Sequence, residues 1–570
     1  MSKLRLLPVP PKKKKPLNLD MITNSPTFTL LNSPSPLSPP LIGGLVRLRR
    51  EGIKGRGGKN WLLAILSGLM LTASFPPGRL SWIAWFALVP LLQSLDNESP
   101  SRAFKLGFIA GTAHYITLIY WIVVVLEHYG NLNLFLSLGI YLLLCLYLAL
   151  YLAFFSSITA FLRGSRFTLI FTASLWVGLE YLKANLLTGF PWCLLGYTQY
   201  KHLYLIQIAD FCGVYGLSFI IILFNVLIYH ILFIHHKKGN VFLKWEILAV
   251  ALIAGGTLAY GHYRLSEEQL EKKPRQQVKF VVIQANIDQS LKWDPAYQSK
   301  TIFTYQRLTR AAFDFKPEVI VWPETAVPFF FQNNVKLSPK VFSLAKESGA
   351  ILIFGSPDYE RIGGMTKYYN RTYLITPKDQ PPQYYDKVHL VPFGEYVPLK
   401  KLLFFVNLLV PAAGDFEEGD KITPLNHSNL SFGALICYEA IFPELAQAHV
   451  RRGANILVNL TNDAWFGMTS APYQHLSMAV FRTVENRRPM IRAANTGFSA
   501  YIAPQGEIIS LSTLFSQDCL KVSVGLPKST LTFYTRFGDL FAISLLIISF
   551  IKVLSCLWTK WIKPRHTKRR

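Results

Sequence analysis

Apolar positions follow two different patterns along this chain. From Trp61 to about residue 262 they come in near-continuous runs, and a further run follows a long gap. A membrane-crossing helix needs about 20 mostly apolar residues. Runs at roughly 61–77, 80–95, 106–126, 134–160, 167–187, 213–234, 243–261 and 537–558 therefore predict about eight spans. The second is short and the fourth long enough to tilt. The fifth carries Glu180 and Lys183, which predicts that it ends near them at the membrane surface, and the eighth is interrupted by Lys552. Gly107 and Gly111 in the third span predict close helix packing.

Between residues 276 and 526 the pattern changes to β-branched runs alternating with amphipathic stretches. Val278–Gln284, Glu318–Trp322, Ile351–Gly355, Leu435–Tyr438 and Asn455–Leu460 read as strands, with helices such as Gln298–Phe313 and His475–Arg487 between them. Alternation of this kind predicts one α/β domain. The expected organisation is an arm at 1–60, a bundle of about seven helices at 61–262, the α/β domain at 276–526, a last helix at 537–558 and a tail at 559–570.

Charge placement orients this plan. Of 570 residues 16% are charged, against about 25% in soluble domains, and the formal charge is +26. Residues 1–60 hold 12 Lys/Arg against 2 Asp/Glu, with Lys12–Lys15 in a Pro- and Ser-rich arm that reads as disordered. No cleaved signal peptide is expected at the start. Basic clusters recur at Arg163–Arg166, at His235–Lys238 and in the tail. With eight spans all four fall on one face, predicted to be cytoplasmic, so both termini are cytoplasmic and the α/β domain lies outside. Charge that flanks apolar runs argues against nucleic acid as a partner. The six cysteines form no CxxC pair and no metal-ligand spacing, so neither a disulfide framework nor a metal is expected.

Within the α/β domain, Glu324 follows the apolar run ending at Trp322, and Cys437 ends another such run. Active sites of α/β sheets form at the carboxyl ends of strands. A thiolate is the strongest side-chain nucleophile for an acyl carbon, a buried carboxylate can take the thiol proton, and an ammonium can face the resulting oxyanion. Glu324, Lys387 and Cys437 are one of each type. Spacing alone leaves them equally readable as a helix-capping acid, a solvated lysine and a core cysteine.

The local motifs discriminate. Trp322-Pro323-Glu324, the run from Lys387 to Glu395, and Cys437-Tyr438-Glu439 resemble the carbon–nitrogen hydrolase (nitrilase) superfamily, with its Glu–Lys–Cys triad. Gln284–Ile287 with Ser290–Trp293, Thr461–Gly467, Arg492–Gly497 and, in the bundle, Gly189–Trp192 and Tyr215–Ser218 are similar to the apolipoprotein N-acyltransferases, bacterial inner-membrane enzymes of that superfamily. The resemblance spans about residues 60–555. It implies an extracytoplasmic sandwich of α-β-β-α layers. Glu324 is then base and acid, Lys387 the oxyanion stabiliser and Cys437 the nucleophile, with Glu395, Glu439, Tyr438 and Trp293 in supporting or substrate-binding places. No cofactor is implied. The implied partners are membrane lipids, a phosphatidylethanolamine-like acyl donor and a diacylglyceryl-cysteine lipoprotein acceptor. The implied transfer runs through a Cys437 thioester; the sequence leaves the oligomeric state open, a monomer being compatible with it.

Two apolar segments fit a lipid donor on their own: Leu399–Pro411, which is also cationic, and Phe329-Phe330-Phe331. Both are expected to be exposed as an interfacial lid. A membrane-anchored amidase or nitrilase-type hydrolase shares the first half-reaction and is the alternative. A transporter or receptor with a degenerate domain predicts a lost nucleophile or base, and both are present.

Overall fold

The computed structural model describes residues 56–163, 168–234, 241–270, 276–378, 380–396, 416–527 and 530–566. The basic arm up to residue 55, most of the Arg163–Arg166 loop, His235–Lys238, the Leu399–Pro411 segment and the end of the tail lie outside the described residues.

The apolar runs form helices: α1 (Arg56–Ala73), α2 (Pro100–Leu118), α3 (Trp121–His128), α4 (Leu134–Phe161), α5 (Thr168–Asn185), α6 (Ala209–Tyr229) and α7 (Val241–Leu270). The run at 80–95 instead splits into a 3-10 turn (Ser81–Trp85) and a short helix (Val89–Ser94). Pro90 sits in that helix's first turn, where a ring without an N–H is tolerated and a continuing helix is not. The run at 106–126 breaks between α2 and α3, which are bent by 55°. Gly107 and Gly111 let α2 pack closely on α4: an added Cβ would lie 2.4 Å from the Leu152 carbonyl oxygen and 2.8 Å from Ala149 Cα.

Four stretches among the described residues are long and apolar enough to cross a membrane, namely Leu134–Phe161, Ala209–Ile234, Leu243–Glu267 and Leu540–Thr559. The bent pair makes a fifth if it counts as one. Outward-facing Phe135, Leu143, Trp245, Leu252 and Phe550 are exposed, as a lipid solvent requires and water does not. The fifth helix ends at Asn185, close to Glu180 and Lys183 as expected. Both are buried, and they hold the turn after α5: Glu180 Oε1 accepts from the Leu195 N–H (2.7 Å) and Lys183 Nζ donates to the Trp192 carbonyl (3.2 Å).

The α/β domain contains two six-stranded sheets. The first holds β1 (Gln277–Gln284), β2 (Val319–Val321), β3 (Ile351–Ile362), β4 (Met365–Ile375), β5 (Gln383–Asp386) and β12 (Asp518–Gly525), in the order β12-β1-β2-β3-β4-β5. The second holds β6 (Leu425–His427), β7 (Leu430–Ile436), β8 (Ile456–Thr461), β9 (Met490–Ala494), β10 (Ala500–Ile502) and β11 (Ile508–Leu511), in the order β11-β10-β9-β8-β7-β6. In each sheet the three central strands run parallel and the flanking ones antiparallel. Period-2 alternation sorts the side chains. Val278, Phe280 and Val282 of β1 and Ile456, Val458 and Leu460 of β8 belong to one core between the sheets. Val281 and Ile283 face outward onto α8 (Pro295–Arg310) and α9 (Ser338–Ser348). Leu435 and Leu457 face outward onto α10 (Pro443–Arg451) and α11 (Ala471–Asn486), whose apolar core is continuous with that of the bundle. The chain then enters α12 (Leu540–His566).

The Phe329–Phe331 cluster is not a lid. Phe329 and Phe331 are buried in the core between the first sheet and its helices, and only Phe330 is partly exposed, against Tyr359 and Tyr368. All six cysteines are free thiols.

Candidate active site

The two sheets deliver their polar groups to one end of the sandwich. Glu324 lies just past β2, beyond Trp322, whose indole N–H is donated to Thr309 in the core (3.1 Å). The next residue, Thr325, has a φ of 47°. Here β3 carries Gly355, because a Cβ would lie 2.8 Å from Glu324 Cα. Lys387 follows β5, and its N–H is donated to the Asn370 carbonyl on β4 (2.9 Å). Next to this pair Arg371 is fully buried, bonded through Nε and Nη2 to Asp386 (2.6 and 2.9 Å) and through Nη1 to Asp358 (2.8 Å). Because side chains alternate, this ion cluster occupies one face of β4 and Asn370 the other.

On that other face the charges are linked in a row. Lys387 Nζ lies 3.0 and 2.8 Å from the two Glu395 oxygens. Asn370 Nδ2 donates to Glu395 Oε1 and to Glu324 Oε1, each at 2.9 Å. Burial alone would lower the Lys387 pKa, but Glu395 and Glu324 raise it, so the ammonium stays charged. Glu324 is 6% exposed, and its Oε2 has no hydrogen-bond partner among the described residues. A buried carboxylate oxygen with a free lone pair is an acceptor in waiting.

Cys437 terminates β7 with a φ of 53°, a left-handed conformation that costs an L-residue energy and that the following 3-10 turn (Cys437–Ile441) fixes. Its thiol is pushed up to about 12 by burial and by Glu324, against the lowering effect of Lys387, so the resting sulfur is protonated. Thr461 at the end of β8 directs its hydroxyl to Cys437 Sγ (3.3 Å) and to Asp463 Oδ1 (3.1 Å). Burial would raise Asp463, yet Arg492 (Nη2 to Oδ2, 2.8 Å) and His475 hold it at about 2. Burial lowers the His475 pKa; its Nε2 lies 3.2 Å from the Cys437 carbonyl oxygen, and its Nδ1 lies 3.0 Å from both Asp463 Oδ1 and Arg492 Nη2. Arg492 also bonds Asn459.

Of the residues singled out in the sequence, Glu324, Lys387, Cys437 and Glu395 come together in this cluster. Glu439 does not bond the Lys387 ammonium or the thiol. Its carboxylate accepts the N–H groups of Val388, His389 and Ile436 (2.8, 3.1 and 2.7 Å) and the Tyr385 hydroxyl (3.0 Å), clasping the lysine loop to the cysteine turn. Burial pushes it up to about 7. Tyr438 is half-buried against Phe442. Trp293 is 48% exposed at the end of a one-turn helix (Gln289–Lys292), and its neighbour Lys292 turns inward instead. Asn370, Thr461, Asp463, His475 and Arg492 were not singled out. Thr461, Asp463 and Arg492 lie inside noticed motifs; Asn370 carries no local signal. No cluster of metal-ligating side chains occurs among the described residues.

The second half of the site rests on the bundle. Gln474 of α11 accepts from the indole N–H groups of Trp121 (3.1 Å) and Trp192 (2.7 Å) and donates to the Leu118 carbonyl (3.2 Å), which the break between α2 and α3 leaves free. Tyr129 donates to the Ala464 carbonyl (2.8 Å), and Arg482 to the Tyr197 hydroxyl (2.9 Å).

Residues 67–227 match the apolipoprotein N-acyltransferase N-terminal domain and residues 282–532 the carbon-nitrogen hydrolase family. An apolipoprotein N-acyltransferase of Geobacter metallireducens is 45% identical over 505 residues, covering 87% of this chain and 95% of the relative. The chain belongs to the apolipoprotein N-acyltransferase family. Relatives of the same name from Methylococcus capsulatus and Haemophilus influenzae are 32% and 31% identical, covering 85% and 86% of this chain and 94% and 93% of their own. Among solved structures, a carbon-nitrogen hydrolase of Helicobacter pylori G27 is similar at 16% identity over 44% of this chain and 89% of its own, with a TM-score of 0.34. Family membership makes the α/β domain nitrilase-like and attaches it to a helical region of apolar, membrane-type helices.

Proposed function

We propose that this protein is a phospholipid:lipoprotein N-acyltransferase working by a ping-pong route through a thioester on Cys437. Glu324 Oε2 takes the Sγ proton as sulfur attacks the ester carbonyl carbon of a phosphatidylethanolamine-like donor. The carbonyl oxygen becomes an oxyanion facing the Lys387 ammonium and a main-chain N–H. Collapse breaks the ester C–O bond, the leaving alkoxide receives the proton from Glu324, and the lysophospholipid departs. In the second half the α-amine of a diacylglyceryl-cysteine attacks the thioester, Glu324 takes its proton, and the Cys437 thiol is regenerated. Glu395 and Asn370 hold Lys387 and Glu324 in register, and Trp293 and Tyr438 border the entrance. The domain lies on the extracytoplasmic side of a bacterial inner membrane crossed about eight times, with both termini in the cytoplasm.

The observation that carries this reading is the direct bonding of α11, which backs the nucleophile's sheet, to Trp121 and Trp192 of the apolar bundle. A hydrolase of water-soluble amides needs at most one anchor, so that alternative is not favoured. Intact-protein mass spectrometry after incubation with phosphatidylethanolamine tests it. One acyl mass is expected, absent from Cys437→Ala and discharged by a diacylated lipopeptide much faster than by water. Equal discharge by water would make the protein a hydrolase.

A further inference from the structure

Lys292 is a buried cation beside Glu324 to which the mechanism above gives no work. It ends the one-turn helix after β1, is 2% exposed, and donates Nζ to the main-chain carbonyl of Glu324 at 3.0 Å. Its backbone is tied to the opposite sheet. Asn495 exchanges hydrogen bonds with the Ile287 main chain (2.9 and 2.8 Å), and Asn462 donates to the Gln289 side chain (2.6 Å). A buried ammonium is costly unless a countercharge faces it. The groups whose charges act on Lys292 are Glu324 at the end of β2 and Cys437 at the end of β7. Asp288 and Asp294 flank its own turn.

Charge accounting explains why a second cation stands there. Lys387 lies against both oxygens of Glu395. Glu324 would otherwise leave the site with one uncompensated negative charge, which acyl transfer moves from carboxylate to sulfur to oxyanion without changing its amount. We propose that Lys292 is a positioning residue for chemistry at Cys437, fixing the Glu324–Thr325 turn through the Glu324 carbonyl and supplying the second positive charge that compensates the carboxylate–thiol pair. The proposal rests on the thioester reading for its purpose but not for its test.

Burial lowers Lys292 to about 8, so the ammonium is present below that pH and lost above it. The test is the rate of Cys437 alkylation by iodoacetamide from pH 6 to 10 in the full-length protein, read by intact mass, for the parent and for Lys292→Gln, Lys292→Met and Lys292→Arg. Acyl-enzyme formation from phosphatidylethanolamine is measured in parallel. The parent is expected to show a break near pH 8; Glu439, pushed up to about 7 beside the cysteine turn, can add one of its own, so the break that belongs to Lys292 is the one that disappears in Lys292→Gln. Lys292→Gln keeps a donor for the Glu324 carbonyl without the charge, and is expected to be about tenfold slower at pH 7, the equivalent of one pKa unit, with the break near pH 8 gone. Lys292→Arg is expected to recover most of the rate and carry no break near pH 8. Lys292→Gln reacting as fast as the parent, or the break near pH 8 retained in it, overturns the charge role. Should Lys292→Gln misfold, a folded Lys292→Met protein that alkylates at the parental rate overturns the charge role equally. A parent that alkylates as described but never accepts an acyl chain refutes the thioester reading and leaves the Lys292 assignment standing.

Discussion

The first sheet and the second hold their halves of the site in opposite ways. On the first, Glu324, Asn370, Glu395 and Lys387 form a row with lone pairs to spare: Glu324 Oε2 and Asn370 Oδ1 are buried without partners among the described residues. On the second, Cys437 is set in a saturated frame. Asp463 binds Thr461 and Arg492, Arg492 binds His475, and His475 binds the Cys437 carbonyl. A half that moves protons needs a vacant acceptor. A half that aims a nucleophile needs its neighbours locked. Substitutions in the first half should therefore cost rate, and those in the second should cost stability before rate.

The sharpest test of this contrast is Glu324→Gln, which keeps shape but removes the proton acceptor. Acyl-enzyme formation is expected to fall at least about 10³-fold, with the thermal unfolding midpoint in detergent nearly unchanged. Its counterpart is Arg492→Met. That change leaves the buried Asp463 without its cation, with Thr461 and His475 still beside it, at a cost of about 3–5 kcal/mol, read as a lowered unfolding midpoint. If Arg492→Met lost rate at parental stability, the two halves would not differ as described.

Asn370→Leu comes next. It fills the same space and removes the N–H pair shared by Glu324 and Glu395, so acylation is expected to slow by about 10²-fold, within the range for a charge-assisted hydrogen bond. The pH dependence of stability probes the other half. Asp463 titrates at about 2 in the folded protein against an ordinary 3.8. A depressed acid contributes stability above its unfolded value that is lost as pH falls, here between about pH 4 and 2, in an amount of ~2 kcal/mol. Urea unfolding across that window should show the loss in the parent and not in Asp463→Asn.

How far the sequence anticipated these halves follows from where each signal resides. The central strands β1, β2, β3, β7 and β8 were legible because they are buried runs of Val, Ile and Leu. β4 was not, since Asn370, which serves the site, and Arg371, which serves the ion cluster on the other face, interrupt its apolar run. β5, β6 and β11 are three or four residues of mixed polarity with no periodicity to detect. In the bundle, run length identified the helices except at 80–95, which splits, and the break after Leu118 is visible only in space, where Gln474 of a distant helix occupies the freed carbonyl. Glu180 and Lys183 correctly marked the end of the fifth helix, which closes at Asn185, but their partners, main-chain groups of a buried turn, carry no signal in the sequence. Glu324, Lys387, Glu395 and Cys437 stood out by their motifs, while Asn370 and His475 owe their importance to atoms far away in sequence.

Gln474→Leu has the smallest expected effect and bears on whether the bundle belongs to the second half of the site. Leucine keeps the volume but leaves two buried indole N–H groups and the Leu118 carbonyl without their partner. One such loss costs about 1–3 kcal/mol, and rotation of the indoles should relieve part of the total. Were α11 only an outer layer of the second sheet, the unfolding midpoint would drop and acylation would keep its parental rate. But the neighbouring residue is His475, bonded to the Cys437 carbonyl at the left-handed turn that aims the thiol. A shift of α11 is thus transmitted to Sγ through one imidazole. Acylation is expected to slow by roughly three- to tenfold, and to the same extent with phosphatidylethanolamine and with a short water-soluble ester. An equal loss with both donors places Trp121 and Trp192 in the frame of the nucleophile. A loss confined to the lipid would instead make them part of its path to the thiol.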